Sequence, residues 1–126
     1  MGVPTDRRYL PSHEWHKLEG NICTIGITKF AADELTDITY VSLPAVGTEV
    51  KAGKPFGEIE SVKATSDLVC GVTGVVTEVN KKLSDAPELV NNDSFSQGWM
   101  IKVKVSDPGT FEKLMTAQAY EAQLGH

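Results

Sequence analysis

Cysteine is nearly absent from this chain of 126 residues: Cys23 and Cys70 are the only two, far apart and in no CxxC pattern. Both are therefore expected as buried, reduced thiols, with a single bridge between them left open by the spacing. Basic residues are also short, 12 Lys and Arg against 17 Asp and Glu, for a net charge of −5. That balance argues against a nucleic-acid binder, which needs clustered cations to displace counterions from phosphates, and points to proteins or small molecules as partners. No apolar run approaches the roughly 20 residues of a membrane-spanning helix. Residues 1–8 lack the apolar stretch of a signal peptide and are too short and acid-containing for a transit peptide. Asp6 stands where a myristoylation motif after Gly2 wants serine or threonine. The expected location is the cytoplasm, or the mitochondrial matrix if a transit peptide has been removed.

Signatures of catalysis and metal binding are missing too. His13 and His16 do not make the HExxH pattern, and on an extended strand residues three apart point to opposite faces, so no metal site is expected. No GxGxxG run leads from a strand into a helix, and no Ser/His/Asp, Cys/His or paired-carboxylate arrangement is recognisable by spacing. What remains is an ordinary folded composition, 40% hydrophobic and 23% charged, at a length that suits one domain over residues 1–126.

The strongest local signal spans residues 56–70, FGEIESVKATSDLVC. Ile59 and Leu68 carry the apolar periodicity on two arms, Glu58, Glu60 and Asp67 carry the polar one, and the small residues Ser61, Ala64 and Ser66 crowd the bend between them. The pattern predicts two strands joined by a tight turn, with Lys63 exposed near the tip. Taken alone, such a lysine is a solvated cation that blunts a sheet edge.

The flanking segments read mostly as strands. Residues 14–19 and 22–27 make a hairpin across Gly20-Asn21, with Cys23, Ile25 and Ile27 on one parity. Thr28 caps a short helix over 29–35, anchored by Phe30 and Leu35. Residues 38–43 return to a strand that ends at Pro44, and Gly47 and Gly53 mark the bends leading into the lysine hairpin. Gly71 and Gly74 bracket a turn before a strand over 75–79, and 83–90 reads as a loop with one helical turn. Residues 99–105 make the cleanest strand, with Trp99, Ile101, Val103 and Val105 on one face. Ser106 or Asp107 then caps a C-terminal helix over about 108–124, with Pro108 near its start, Gly125 beyond its end, and Phe111, Leu114, Met115, Ala119 and Ala122 toward the sheet. Trp15 and Trp99 are expected as packing aromatics.

The run Glu60-Ser61-Val62-Lys63-Ala64, followed by Ser66-Asp67-Leu68 and by residues 71–80, resembles the lipoylation hairpin of the H-protein family of the glycine cleavage system. The resemblance extends over residues 9–105, through Ser12-His13-Glu14-Trp15, Gly26-Ile27-Thr28, Asp37-Ile38, residues 87–91 and Gly98-Trp99. One departure is Cys70-Gly71, where that family more often has a serine-proline pair, which puts the outgoing turn in question. The resemblance implies a mainly β fold, a flattened barrel-sandwich hybrid of two antiparallel sheets with a short helix in the N-terminal half and a C-terminal helix, its lipoyl-domain-like core at about 22–105. It implies lipoic acid in amide linkage at Lys63 and a monomeric, non-catalytic carrier, acylated by a lipoate-attaching enzyme. The carrier would take an aminomethyl group from glycine decarboxylase to an aminomethyltransferase and be reoxidised by dihydrolipoyl dehydrogenase. The loaded arm bears an ammonium, so it is expected to rest against carboxylates, with Glu14 and Asp67 as candidates and Ser12 as an extra acceptor; the alternative is that Glu14 and Asp67 are ordinary surface acids. Glu60 is a candidate for recognition by the lipoate-attaching enzyme, or a solvated strand residue. The alternatives are a lipoyl-relay relative, a lipoyl domain of a 2-oxoacid dehydrogenase complex, which typically has an aspartate where Val62 stands, and a biotin carrier, whose flanking methionines Val62 and Ala64 do not match.

Overall fold

A computed structural model describes residues 3–124. Gly20, at φ 63°, turns the chain between β2 (Glu14–Glu19) and β3 (Ile22–Ile27), whose alternation sends Cys23, Ile25 and Ile27 inward. The Thr28 hydroxyl accepts the Ala31 N–H at 3.3 Å and so starts α1 (Lys29–Leu35). The helix buries Ala32; Phe30, expected as an anchor, is 37% exposed, and Leu35 is only partly buried. The small side chain permits a close approach that Asn91 then locks, its amide donating to the Thr36 carbonyl at 2.7 Å while its Oδ1 accepts the Ile38 N–H at 3.0 Å.

Two antiparallel sheets follow from these pairings. β1 (Arg8–Tyr9), β2, β3, β9 (Ile101–Val105), β8 (Gly74–Val79) and β5 (Glu49–Val50) lie in that order in a six-stranded sheet. β4 (Ile38–Ser42), β6 (Lys54–Ser61) and β7 (Thr65–Cys70) form a three-stranded one. Neither closes on itself, giving the flattened barrel-sandwich expected from the sequence. Ile25, Val76, Ile101 and Val103 of the larger sheet share a core with Val41, Ile59, Leu68 and Cys70 of the smaller, all 7% exposed or less. Each large aliphatic side chain contributes about 1.5–3 kcal/mol when fully buried. A one-residue slip between β6 and β7 would exchange Ile59 for Glu58 or Glu60 in that core, so burial fixes the register and with it the position of Lys63.

The sequence reading differs from the structure in three other places. Residues 83–90 hold two one-turn helices or their starts, α2 (Lys82–Asp85) and α3 (Leu89–Asn92), where one turn was expected. The last strand begins at Ile101; Trp99 precedes it in a turn closed by its N–H to the Ser96 carbonyl at 3.1 Å. The C-terminal helix is broken into α4 (Pro108–Glu112), capped by Asp107, and α5 (Ala117–Gln123), capped by Thr116. Met115 between them is extended, exchanging two backbone hydrogen bonds with Tyr9 at 2.8 and 2.9 Å, and the Thr116 hydroxyl restarts the helix by accepting the Ala119 N–H. The break rotates the buried face: Ala117 and Tyr120 go inward, whereas Ala119 and Ala122 are exposed. The expected stop at Gly125 lies outside the described residues.

Candidate functional site

β6 and β7 meet in the turn Val62-Lys63-Ala64, which Ser61 holds. Its hydroxyl oxygen accepts the N–H groups of Lys63 at 3.3 Å and Ala64 at 3.1 Å, and its own N–H donates to the Ala64 carbonyl at 2.8 Å. The Val62 N–H donates to the Asp37 carbonyl at 3.1 Å, tying the tip to the chain entering β4. Lys63 is exposed and takes part in none of the ion pairs found among the described residues. A fixed backbone thus presents a free amine.

The outer face of the smaller sheet is acidic beside that amine. Glu58 stands opposite Asp67, and Glu60 opposite Thr65 and Tyr40, with all three carboxylates exposed. Asp67 is therefore on the surface, as the sequence reading had it, and Glu60 has the exposure that recognition by an enzyme requires.

Glu14 is different. It is 2% exposed, its Oε1 accepting the Ser12 hydroxyl at 2.5 Å and its Oε2 the Val69 N–H at 2.8 Å. Ser12, expected as an acceptor, spends its proton on Glu14, although its oxygen can still accept a hydrogen bond. Burial pushes the Glu14 carboxyl above the usual carboxylate range, and the Ser12 and Val69 bonds oppose that rise. None of the ion pairs among the described residues includes Glu14. The fold thus holds in this corner a carboxyl group without a paired cation, whose charged form burial disfavours.

One strand edge links these groups. Val69 lies four residues beyond Thr65 on β7, about 13 Å along the strand, with Asp67 midway on the same parity. Farther along, the Gly71 N–H donates to Nε2 of His16 at 2.9 Å. The imidazole is fully buried, which holds its pKa down to about 3. It is a neutral ring with its proton on Nδ1, an atom without a hydrogen-bond partner. Glu14 and His16 together stand in for a neighbouring strand along the free edge of β7. The departure at Cys70-Gly71 acquires a reason here: a proline at 71 has no N–H for His16, and a Cβ at 71 would lie 2.6 Å from Leu114 Cδ2.

The remaining candidates are structural. Trp15 is buried, its Nε1–H donating to the Ser94 carbonyl at 2.9 Å, and a Cβ on Gly26 would come within 2.7 Å of its ring. Trp99 is half-buried beneath the Lys102 ammonium, 5.2 Å from the ring centroid. Cys23 and Cys70 are both fully buried; burial pushes both thiols up, that of Cys70 to about 11, which suppresses thiolate chemistry. His13 Nδ1 lies 2.6 Å from the Tyr120 hydroxyl, and among the described residues no three His, Cys, Asp or Glu side chains are grouped to hold a metal. The sequence reading missed the burial of Glu14 and the role of His16. The signal was parity: Glu14 and His16 alternate with Trp15 and Lys17 on the strand, on the same side as Leu18, which packs on the core.

The chain is similar to known proteins over nearly its whole length. The family profile described as glycine cleavage H-protein matches residues 7–126. A glycine cleavage system H protein of Bacillus subtilis (strain 168) is 52% identical over 121 residues, covering 96% of this chain and 95% of that one. A protein of the same description from Symbiobacterium thermophilum is 48% identical over 120 residues, covering 95% and 94%. The crystal structure of a glycine cleavage system H protein from Mycobacterium marinum superimposes with a TM-score of 0.91 at 35% identity, covering 98% of this chain and 100% of that one.

Proposed function

The chain belongs to the glycine cleavage H-protein family, and from that premise we propose that it carries the aminomethyl group of glycine on a lipoyl group attached to Lys63. Glycine decarboxylase loads it, an aminomethyltransferase unloads it, and dihydrolipoyl dehydrogenase reoxidises it, after a lipoate-attaching enzyme has acylated Lys63. The carrier performs none of these reactions. Bound lipoate supplies a cyclic disulfide that takes the cargo on one sulfur and is left as a dithiol when the cargo departs.

The chain's own residues set the root and the resting place of the arm. Ser61 fixes the backbone under Lys63 and the exposed amine stays open to the attaching enzyme. The observation that carries the reading is Glu14: a buried carboxylate with no cation, at the far end of the strand edge that begins beside Lys63. The cargo brings a primary ammonium, the missing counter-charge. Asp67 lies midway as a second anion, and Ser12 aligns Oε1 of Glu14 while keeping a lone pair to share. Seated there, the cargo is kept from water, which otherwise breaks its C–S bond and releases formaldehyde and ammonium.

The decisive experiment is exchange of labelled bicarbonate into glycine by purified decarboxylase with the lipoylated protein, set beside Lys63→Arg. The guanidinium keeps the charge but offers no acylable amine, so neither the mass gain of lipoylation nor exchange should occur. Exchange that survives Lys63→Arg, or none with the lipoylated parent, overturns the assignment.

A further inference from the structure

The C-terminal helix α5 reaches the cargo corner through polar contacts that docking alone does not require. Its apolar contribution is plain: Ala117 and Tyr120 are buried, and the Tyr120 ring stacks on Tyr9 with centroids 4.8 Å apart. Beyond that, the Tyr120 hydroxyl lies 2.6 Å from Nδ1 of His13, and Gln123 Nε2 donates to the Pro11 carbonyl at 2.8 Å. Pro11 and His13 are the two neighbours of Ser12, so α5 grips the chain on both sides of the residue that hydrogen-bonds Glu14.

That segment needs holding. His13 sits at φ 82°, a conformation that residues with a Cβ keep only where their surroundings over-determine it. The backbone supplies part of the restraint, through Leu10 N–H to the Glu14 carbonyl, His13 N–H to the Leu10 carbonyl and Thr28 N–H to the His13 carbonyl, at 3.0, 3.0 and 2.9 Å. The rest comes from side chains. The His13 ring lies against Phe30 at 4.9 Å and edge-on to Tyr120 at 5.6 Å, and the Tyr120 oxygen is also 2.9 Å from Thr28 Oγ1. Thr28 Oγ1 also accepts the Ala31 N–H, so the Tyr120 hydroxyl shares hydrogen bonds with the Thr28 hydroxyl and with Nδ1 of His13, the direction of each set by the His13 tautomer. One phenol therefore joins α5, the cap of α1 and the loop of residues 10–13.

We propose that α5 is a clamp on the cargo site, with Tyr120 and Gln123 as positioning residues that hold residues 10–13 so that the Ser12 hydroxyl meets Glu14. The inference rests on the reading of Glu14 as the seat of the cargo ammonium, but its primary test needs no lipoyl group. Tyr120→Phe keeps the stack on Tyr9 and removes the hydroxyl; Gln123→Ala changes an exposed side chain and leaves the core alone. In the unlipoylated protein, Glu14 is titrated by NMR through its side-chain carboxyl carbon. Because the Ser12 bond opposes the rise in the Glu14 pKa, both variants should shift its titration upward, and amide exchange at residues 12–14 should quicken, while circular dichroism and lipoylation of Lys63 stay as in the parent. Unaltered titration of Glu14 in both variants overturns the clamp. In the loaded protein, ammonia release should rise about fivefold in each variant, the factor that one hydrogen bond commands. Glu14→Gln separates the two ideas: release at the parental rate in that variant overturns the seat itself and the purpose of the clamp, whereas fast release there with parental behaviour of Tyr120→Phe and Gln123→Ala overturns the clamp alone.

Discussion

Replacing Glu14 by glutamine removes a charge from the core while conserving its shape, and it bears on the cargo and on the fold in opposite directions. The glutamine carbonyl can accept the Val69 N–H as Oε2 does at 2.8 Å, and its amide can donate to the Ser12 oxygen in place of the bond at 2.5 Å. What vanishes is the charge-assisted bond proposed between Glu14, 2% exposed, and the cargo ammonium. Hydrogen bonds to charged groups contribute about 1.5–3 kcal/mol each, so cargo loss from the loaded protein should quicken about tenfold to hundredfold. The unlipoylated variant should match or exceed the parent in stability at neutral pH. The sign follows from the raised carboxyl: a folded-state pKa above the unfolded 4.5 makes ionisation unfavourable in the fold, so stability declines as pH rises through the folded value, and glutamine removes that decline. Urea unfolding at pH 5 and 7 and ammonia release from the loaded protein are the two assays. A variant that holds its cargo as long as the parent, or that is less stable at pH 7 by more than it is at pH 5, refutes the picture of Glu14 as a destabilising anion kept for a cation.

Three further predictions concern the edge and the tip. His16 titrates at about 3 in the fold and 6.5 when unfolded, so the unfolded chain takes up its proton first and stability is lost as pH falls from 6.5 toward 3, by several kcal/mol in order of magnitude. His16→Gln keeps an acceptor for the Gly71 N–H and should flatten this acid limb in denaturant titrations; an unchanged limb refutes the assignment. Gly57→Ala would put a Cβ 2.1 Å from the Ser42 carbonyl oxygen, forcing β4 from β6; a loss of about 1–3 kcal/mol is expected as a lowered Tm. Ser61→Ala removes the acceptor that orders Lys63 and Ala64, at a cost near the low end of about 0.5–1.5 kcal/mol per bond because the turn is exposed. Initial lipoylation rates followed by intact mass should fall with little change in Tm, and equal rates would show that Ser61 does not prepare the tip.

How far the sequence reads through to the structure depends on the range of the interaction. Thr28 capping α1, Gly20 reversing the first hairpin and Ile59 opposing the polar pair Glu58 and Glu60 are decided within a few residues, and each is legible from side-chain chemistry and period. The C-terminal segment misleads because Met115 is claimed by Tyr9, over a hundred positions away in the chain, which breaks a helix that local propensity would continue. Glu14 misleads in the same manner: an acid reads as surface, and the Val69 N–H arriving from the other sheet, with the Ser12 hydroxyl, gives the buried carboxyl its hydrogen bonds.

By itself, the order of amino acids determined the lysine hairpin and the exposure of Lys63, because alternation and small turn residues are properties of neighbours. The tertiary structure alone decided that Glu14 is a buried carboxyl group, that His16 and Glu14 cap the free edge of β7, and that α5 contacts both sides of Ser12. Those contacts join segments tens of residues apart, and their existence depends on how two sheets and a broken helix pack, which no local preference encodes.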